Sequence, residues 1–507
     1  MSKVYITTPI YYPNSDPHVG TAYTTIVADF LARYYRQRGK TVFYLTGTDE
    51  NSVKVEEAAQ KLNKPTKQYV DEMASIFREI WQKLNISYDK FIRTTDDYHI
   101  QTAQFVFQKL YEKGYIYKSY YEGWYCNSCE TFWPSSKLGD EKVCPNIECR
   151  KPLTIVKEDN YFFKLSDFQE KLIKYYEQNP DSIFPKTRYN EVLSFIKMGL
   201  QDISVSRKNI EWGIKVPFDP NYTIYVWIDA LTNYISGIGY PYNFEEEYWQ
   251  NVYHIMGKDI IRFHAVIWPS ILLALGLEPP KKLIVHGWLT TPENKKISKS
   301  TGGDIFKLRE FISNNPEHMI MGLRYYLLKE GSFGEDIPIS VERYVQIYNS
   351  DLANNVGNLL SRIVALIQKN LESKVYKKSS LEFIPTLYSQ VLKEYNKYVE
   401  NFEFSKAMDI IIDFSNHLNK KIEENRPWEM KNQKDKLNDL MFELCLGLVG
   451  IFTFLYPAIP YSSYQALNQL GLEKILDKAS FNVSDLYLDG IESFEIRSRQ
   501  VLFPAIK

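Results

Sequence analysis

Residues 4–46, VYITTPIYYPNSDPHVGTAYTTIVADFLARYYRQRGKTVFYLT, are the stretch that decides the fold of this 507-residue chain. Val4–Thr8 has the composition of a strand, and a proline-containing loop follows it. From His18 to Arg38 the apolar side chains recur at helical spacing, and Thr41–Thr46 predicts a second strand. A strand, a loop, a helix and a strand in this order are typical of a doubly wound α/β nucleotide-binding fold.

The strand character returns later, and regions of different character lie around it. Strand-like runs occur at Thr223–Trp227, Val252–Met256 and Leu283–Val285, and from about Val341 to Leu470 the pattern is almost wholly helical. We therefore expect five parts, which are the two halves of a Rossmann-like unit, an insertion between them that holds four of the five cysteines, a linker region and a helical bundle. The two Rossmann-like halves are 1–116 and 215–300, and the insertion between them is 117–214. The linker region is 301–345, and the helical bundle is 346–507.

The composition is that of a folded soluble protein with almost no net charge. Hydrophobic residues make up 44% and charged residues 24%, and 61 Lys and Arg balance 62 Asp and Glu. Any nucleic-acid contact must therefore use local patches, stacking and shape. The first residues show no secretion or transit segment, and the apolar stretch Leu444–Pro460 is interrupted often enough to predict a buried helix. We expect a cytoplasmic protein that does not bind membranes.

Three short motifs suit a nucleotide. Pro17–Gly20 lies where the first loop enters the first helix, whose terminal N–H groups favour phosphate. Lys296–Ser300 offers two lysines three residues apart to a polyphosphate. Gly257–Asp259 follows a predicted strand and places a carboxylate where ribose hydroxyls bind. Taken singly, the first motif is equally a helix cap and the second a solvated loop.

In this order and on this architecture, the motifs resemble those of the class I aminoacyl-tRNA synthetases. His18–Thr21 resembles their HIGH motif and Lys296–Ser300 their KMSKS motif. The resemblance implies that an amino-acid carboxylate attacks the α-phosphate of ATP, which carries Mg²⁺, and that pyrophosphate leaves. The catalytic residues that it implies are His18, Gly20, Thr21, Lys296 and Lys299. The ATP-binding residues that it implies are His18, Gly20, Gly257, Asp259, Lys296, Ser298 and Lys299.

Within that class the chain resembles the methionyl enzymes over nearly its whole length, most closely at Tyr5–Thr25, Leu45–Glu50, Tyr225–Ala230 and Gly257–Trp268. The resemblance implies that Asp49 holds the ammonium group of L-methionine. It implies a methionine site built from Ile10, Tyr12, Asp49, Trp227, Tyr234, His264 and Trp268. The residues themselves agree, because His264 and Trp268 are four apart and share a helix face, and a thioether suits aromatic contacts. Without the resemblance, these aromatic residues are equally ordinary core.

The clustered cysteines form two pairs, Cys126 with Cys129 and Cys144 with Cys149. Two thiolate pairs suit a tetrahedral Zn²⁺ ion, although the second spacing is looser than usual, and reduced structural cysteines are the alternative. Four thiolates would close the coordination shell, so one zinc ion per chain would be structural. The position resembles the zinc knuckle in the connective insertion of the methionyl enzymes.

The helical half contains candidates for recognition of RNA. Asn358 and Arg362 lie one turn apart on a polar helix face and suit the edges of unstacked bases, and Trp428 is a candidate stacking platform. From the residues alone, such a face is equally a solvated surface. The resemblance implies that these three residues read the anticodon of tRNA(Met).

The resemblance as a whole implies an α/β fold, in which a Rossmann-like doubly wound parallel-sheet catalytic domain with a zinc-knuckle insertion precedes an all-α anticodon-binding bundle. It implies an enzyme that forms methionyl-adenylate from L-methionine and ATP and transfers methionine to tRNA(Met). Because no further domain follows the bundle, we expect a monomer, with a separate tRNA-binding partner as an alternative.

The chain departs from the family pattern at two places. Thr21 replaces the second His of the HIGH motif, and Asn51 and Ser52 replace the usual His-Gly after Asp49 and Glu50. Losing a transition-state donor typically costs about 10²–10³ in rate. The departures therefore leave one rival open, a synthetase-like tRNA-binding protein of weak activity. A second alternative is a class I synthetase for another amino acid, such as cysteine.

Overall fold

The structure is a computed structural model, and it describes residues 3–126, 131–133, 138, 142–145, 150–208, 210–297, 305–430, 432–472, 476 and 490–507. Strands and helices alternate in the first part of the chain, as the opening stretch predicts. The elements are β1 (Lys3–Tyr11), α1 (Val19–Arg36), β2 (Thr41–Thr48), α2 (Val53–Lys61), α3 (Thr66–Lys83), β3 (Lys90–Arg93) and α4 (Asp97–Glu112).

The next part is a smaller unit of strands with two helices. Its elements are β4 (Ile116–Cys126), β5 (Thr131–Trp133), β6 (Thr154–Phe163), α5 (Gln169–Gln178), β7 (Ile183–Phe184), α6 (Lys186–Lys197), β8 (Ile203–Ser204), β9 (Ser206–Lys208) and β10 (Lys215–Val216). A four-stranded antiparallel sheet has the order β5-β4-β6-β8. The short strand β7 leaves this unit and pairs with the main sheet.

The α/β pattern then resumes. Its elements are β11 (Asp219–Ile224), α7 (Val226–Ser236), α8 (Glu246–Trp249), β12 (Val252–Gly257), α9 (Trp268–Leu275), β13 (Lys282–His286) and β14 (Leu289–Thr290). The strand expected at Thr223–Trp227 is wrong, because β11 ends at Ile224 and Trp227 lies on α7. Nearly every residue of α7 is buried, and a fully buried helix rich in aromatic and β-branched residues has the same local pattern as a strand.

The main sheet is parallel throughout and has the order β3-β2-β1-β12-β13-β7. The predicted α/β class with a parallel sheet is therefore confirmed. The strand order reverses between β1 and β12, which come from the two halves of the unit. In open sheets of this kind, ligands bind outside the carboxyl ends of the strands at that reversal.

The rest of the described chain is mainly helical. Its elements are α10 (Leu308–Asn314), α11 (Glu317–Lys329), β15 (Ile337–Pro338), α12 (Val341–Ile347), α13 (Asn358–Asn370), β16 (Lys374–Tyr376), α14 (Ile384–Glu400), α15 (Phe404–Asn425), α16 (Lys434–Leu455), α17 (Pro460–Gln469) and β17 (Ser493–Glu495). The all-α bundle expected at 346–507 is wrong in one respect, since β16 and β17 form an antiparallel pair. These short strands come from distant segments, so local periodicity does not reveal their pairing.

Helix α16 is the one helix in the described ranges that is long and apolar enough to cross a membrane, with a mean hydropathy of 1.6. Of its most apolar window, 89% is buried inside the protein. Its neighbours include α14, α15 and α17. The prediction that Leu444–Pro460 contributes to a buried helix is confirmed for the part that lies on α16.

A buried charge cluster joins the helical region to the sheet. The carboxylate of Asp29 on α1 accepts hydrogen bonds from Arg33 at 2.8 Å and from Arg324 on α11 at 2.6 Å. It also accepts one from the backbone N–H of Ser87 at 2.6 Å. Arg324 then donates to the carbonyl oxygen of Ala458, between α16 and α17, at 2.7 Å. Burial alone would raise the pKa of Asp29, but the two guanidinium groups outweigh it and hold the pKa at about 2.

Candidate active site

A cleft of about 470 Å³ lies near the carboxyl ends of β1 and β12, at the reversal of strand order. Both halves of the α/β unit contribute to it. The predicted residues that line it are Ile10, Tyr12, His18, Gly20, Thr21, Asp49, Trp227, Tyr234, Gly257, Asp259, His264 and Lys296. Of the other predicted residues, Trp268 is not in the lining, and Ser298 and Lys299 lie outside the described residues.

His18 is the N-cap of α1, and its side chain folds back over the first turn. Nδ1 of the imidazole accepts a hydrogen bond from the backbone N–H of Gly20 at 3.0 Å. Because Nδ1 accepts, the ring proton lies on Nε2, which can donate to an anion. A Cβ atom on Gly20 would lie 2.8 Å from the ring, so Gly20 provides the space that this arrangement needs.

Thr21, which replaces a histidine of the family motif, completes a capping box with His18. Its hydroxyl oxygen accepts from the backbone N–H of His18 at 2.9 Å and donates to the carbonyl oxygen of His18 at 2.6 Å. A side chain at this third helical position that bonds back to the N-cap satisfies a terminal donor of the helix. Thr21 therefore holds the backbone on which the His18 imidazole is mounted.

Lys296 and Asp259 face each other at one end of the cleft. The ammonium nitrogen of Lys296 lies 3.5 Å from Oδ2 of Asp259, and the two side chains are 35% and 44% exposed. The same ammonium lies 4.0 Å from the centroid of the Trp288 ring. Both charged groups are thus accessible to a ligand that carries phosphates and hydroxyls.

The opposite wall of the cleft contains a hydrogen-bonded pair, Tyr234 and His264. Nδ1 of His264 lies 3.0 Å from the carbonyl oxygen of Ile260, which can only accept, so Nδ1 carries the ring proton. Burial lowers the pKa of His264 to about 4 and raises the pKa of Tyr234, so both side chains are neutral near pH 7. Nε2 of His264 therefore accepts the hydroxyl proton of Tyr234, at 2.8 Å.

An aromatic stack covers this wall. The rings of Trp227 on α7 and Phe263 are parallel within 9°, with their centroids 3.6 Å apart. The ring of His264 meets Trp227 edge-on at 6.4 Å. Neutral aromatic faces of this kind favour an apolar or thioether side chain.

Trp268, which the prediction places on one helix face with His264, contacts the same two side chains as His264 does, namely Tyr234 and His254. Phe263–Ile267 is a π-helical turn that precedes α9. Trp268 is fully buried behind the cleft, where its indole N–H donates to Nε2 of His254 at 3.3 Å. His254 in turn stacks on Tyr234 with ring centroids 4.0 Å apart.

The loop after β2 supplies Asp49 to the cleft. Asp49 is only 4% exposed, and its backbone N–H donates to the carbonyl oxygen of Tyr11 at 2.9 Å. Asn51, the second departure from the family pattern, donates to the buried carboxylate of Asp229 on α7 at 2.9 Å. Ser52 is the N-cap of α2. Both substituted residues therefore fix the loop that carries Asp49.

Several residues of the cleft are not predicted from the sequence. His286 lies at the end of β13, where its Nε2 is 2.7 Å from the hydroxyl of Thr24. Trp288 follows two residues later, and Lys54 lies on α2. The available signal was the run Val285–Trp288, an aromatic and basic segment directly after a predicted strand. Its contacts with α1 and Gly257–Asp259 are long-range, and spacing does not show them.

The described cysteines of the insertion lie together. Cys126 at the end of β4 and Cys144 are both fully buried, and with Leu153 they form a small separate cluster. Cys129 and Cys149, the other members of the predicted zinc site, lie outside the described residues. Among the described residues, no group of three or more His, Cys, Asp or Glu could hold a metal ion.

The predicted RNA-contacting residues lie on the helical region. Asn358 is exposed at the start of α13, and Arg362 on the same helix donates to Glu423 on α15 at 2.5 Å. Trp428 lies in the short 3₁₀ turn Pro427–Glu429 after α15 and is 42% exposed. The polar faces of α13 and α15 thus meet, and an exposed indole lies beyond the end of α15.

Comparisons with known proteins point to one family. The sequence model of the family described as tRNA synthetases class I (M) matches residues 4–153 and 147–364. The chain is 42% identical to the methionine–tRNA ligase of Caldanaerobacter subterraneus subsp. tengcongensis, over 99% of this chain and 78% of that protein. It is 41% identical to the methionine–tRNA ligase of Fusobacterium nucleatum subsp. nucleatum, over 99% of this chain and 80% of that protein.

The fold is similar to solved structures as well. Methionyl-tRNA synthetase of Mycobacterium tuberculosis in complex with methionyl-adenylate superposes with a TM-score of 0.91 at 33% identity, over 99% of this chain and 100% of that chain. The free state of the same enzyme gives a TM-score of 0.85 at 32% identity, over 100% of this chain and 99% of that chain.

Proposed function

Because the chain belongs to the methionyl-tRNA synthetases of class I, we propose how its residues divide the reaction of a methionine–tRNA ligase. The protein activates L-methionine with ATP to methionyl-adenylate and pyrophosphate, and it then transfers methionine to the 3′-terminal adenosine of tRNA(Met). One observation carries the assignment of residues. A single cleft joins the capped N-terminus of α1 to the neutral Tyr234–His264 pair and to the buried Asp49.

We assign the ATP end of the cleft to α1 and to the segment around Lys296. The N–H groups of the first turn of α1 and Nε2–H of His18 stabilise the phosphates, since helix N-termini favour anions. Lys296 and Lys299 of the same motif neutralise the charge that develops as pyrophosphate leaves, and the hydroxyl of Ser298 donates a hydrogen bond to the phosphates. Gly257 lets the ribose approach β12, and Asp259 accepts from the ribose hydroxyls. Mg²⁺, when bound with ATP, neutralises phosphate charge.

We assign the methionine end to Asp49 and the aromatic wall. The Asp49 carboxylate holds the substrate ammonium group. Trp227, Tyr234 and His264, with Ile10 and Tyr12, surround the thioether, which gains from contact with aromatic rings. Positioning of the methionine carboxylate next to the α-phosphate supplies most of the catalysis, because the attack requires no covalent enzyme intermediate.

ATP–pyrophosphate exchange measured with each of the twenty amino acids tests this assignment. Methionine alone should drive exchange. Asp49→Asn should raise the KM for methionine by at least tenfold and leave the KM for ATP unchanged, whereas Asp97→Asn, an exposed carboxylate on α4, should leave both constants at wild-type values. Equal losses for both substrates in Asp49→Asn would contradict the role of Asp49 in ammonium binding.

We further propose that Cys126, Cys129, Cys144 and Cys149 hold one structural zinc ion. The support is that Cys126 and Cys144 are both buried and share one small cluster, as thiolate ligands do. When bound, the ion would fix the turns of the insertion and take no part in the chemistry. Metal analysis should find one zinc per chain, and Cys126→Ser should lose it, while Cys445→Ser in α16 should retain it.

We also propose that Asn358, Arg362 and Trp428 read the anticodon of tRNA(Met). The support is the exposed indole and the polar face of α13. Trp428→Ala should lower the rate of tRNA charging at least tenfold and leave ATP–pyrophosphate exchange unchanged, because exchange does not require tRNA. A parallel loss of exchange would contradict the assignment.

Light scattering of the purified protein tests the expected monomer, and fractionation of cells tests a cytoplasmic location.

A further inference from the structure

The ring of Trp288 lies beside two lysines at the rim of the cleft. The ammonium groups of Lys258 and Lys296 are each 4.0 Å from the ring centroid. An aromatic face attracts an ammonium group through its quadrupole, most strongly in tryptophan. Trp288 lines the cleft, and no role follows for it from the proposed assignment of ATP and methionine contacts.

Contacts with Glu335 and Asp336 fix the backbone at Trp288. Its N–H donates to Oδ1 of Asp336 at 2.8 Å, and Asp336 also binds Lys258 at 2.9 Å. At the neighbouring Gly287, a Cβ atom would lie 2.2 Å from the carbonyl oxygen of Glu335, so the two segments pack closely. Pairing of β14 with β15 continues this contact. The indole is thus mounted on a rigid support.

The two lysines differ in their partners. Lys258 is neutralised by Asp336, whereas the carboxylate next to Lys296 is Asp259, at 3.5 Å. In the proposed function, ATP needs both of these groups, Asp259 for its ribose hydroxyls and Lys296 for its phosphates. Binding of ATP must therefore weaken the Asp259–Lys296 pair, which is partly exposed and for that reason weak.

We propose that Trp288 is a positioning residue that holds Lys296 over the cleft while Asp259 passes to the ribose of ATP. An indole suits this task because it attracts the ammonium group without neutralising its charge, so the charge remains available to the phosphates. A carboxylate in the same place would compete with ATP. Lys296 itself is held near Trp288 by the hairpin in which Thr290 bridges to Lys296. The inference rests on the proposed role of Lys296 and Asp259 in binding ATP.

The test compares Trp288→Phe and Trp288→Leu in ATP–pyrophosphate exchange. Leucine removes the aromatic face, and we expect the KM for ATP to rise about fivefold, with the KM for methionine unchanged within about twofold. Phenylalanine keeps a face, and it should stay within about twofold of wild type. Nε1 of Trp288 is buried and has no hydrogen-bond partner among the described residues, so phenylalanine leaves no described acceptor without its donor.

A double-mutant cycle with Lys296→Gln separates positioning from direct contact with ATP. If Trp288 acts through Lys296, Trp288→Leu should have almost no further effect in the Lys296→Gln background. A full fivefold effect in that background would overturn the proposal, as would equal effects of phenylalanine and leucine in the wild-type background.

Two further variants distinguish a failure of the proposed ATP role of Lys296 from a failure of the inference about Trp288. Lys296→Gln alone should raise the KM for ATP, and if it does not, the proposed ATP role of Lys296 fails. If Lys296→Gln is impaired while Trp288→Leu equals wild type, the inference about Trp288 alone fails. Lys295→Gln, at the exposed neighbouring lysine, is the control for a general loss of positive charge and should resemble wild type.

Discussion

The hydroxyl group of Tyr234 donates a hydrogen bond to Nε2 of His264 at 2.8 Å, and both side chains are buried in the wall of the cleft. Tyr234→Phe would leave a buried acceptor without its donor, which costs about 1–3 kcal/mol. We expect the KM for methionine to rise about tenfold and the KM for ATP to remain unchanged, as measured by ATP–pyrophosphate exchange. Equal changes in both constants would indicate a general loss of folding instead.

The lowered pKa of His264 predicts how stability depends on pH. Its ordinary pKa of 6.5 falls to about 4 through burial, so the unfolded chain binds the proton more readily than the folded one. The resulting stabilisation is complete above pH 6.5 and is lost as the pH falls towards 4, by about 3 kcal/mol in all. Urea unfolding of His264→Gln between pH 4 and 7.5 should therefore show a shallower loss than wild type. Parallel curves would rule out this contribution.

Gly20→Ala should lower the activity of the protein without lowering its stability. The added Cβ would lie 2.8 Å from the His18 ring, a side chain that can turn away, and alanine favours the helix by up to about 1 kcal/mol over glycine. We expect a melting temperature at or above that of wild type and a loss of exchange activity of at least tenfold. Wild-type activity in this variant would show that the position of the His18 ring is not required.

Thr21 can be tested by removing only its hydroxyl group. Thr21→Ser keeps the capping box and should retain most of the activity, whereas Thr21→Val removes it and should destabilise the protein by about 1 kcal/mol and slow exchange. Thermal unfolding measures the change in stability, and ATP–pyrophosphate exchange on the same preparations measures the change in rate. Thr21→His tests the family's usual residue, and a slower variant would show that the capping role outweighs an added imidazole.

Replacing Asp29 should lower the stability of the protein and leave its KM values unchanged. Asp29→Asn leaves the buried guanidinium group of Arg324 without its counter-charge, and such a change costs about 3–5 kcal/mol. Asp29 lies outside the cleft, so KM values for ATP and methionine should stay within about twofold at a temperature where the variant is folded. Chemical denaturation provides the measurement, and Asp435→Asn, at the exposed ion pair with Lys378, is the matched control.

Local patterns in the sequence predicted the parts of the fold that local physics determines. The helix after His18 follows from apolar spacing, and the site at its N-terminus follows from the loop before it. The strand expected at Thr223–Trp227 failed because a fully buried helix carries the same residues as a buried strand. Trp268 follows His264 by four residues and both rings contact Tyr234, although His264 lines the cleft and Trp268 does not.

The remaining features depend on contacts between distant segments. Lys296 reaches Trp288 within one hairpin, but Lys258 meets Trp288 only after the sheet has placed β12 beside β13. The same holds for the support that Asp336 gives to Trp288. Resemblance to the family supplied the identity of the substrate, whereas the function of Thr21 as part of a helix cap became apparent only from hydrogen-bond geometry.

The Asp29 cluster has a consequence for any attempt to dissect the chain. One continuous apolar core extends from α1 and α3 through α11 to α15 and α16. A fragment ending near Lys329 would expose that core and leave Arg324 without its acceptors at Pro457 and Ala458. The α/β part and the helical part of the chain are therefore not autonomous modules. Recombination between relatives at this boundary should fail unless α1, α11 and the 457–458 turn are exchanged together.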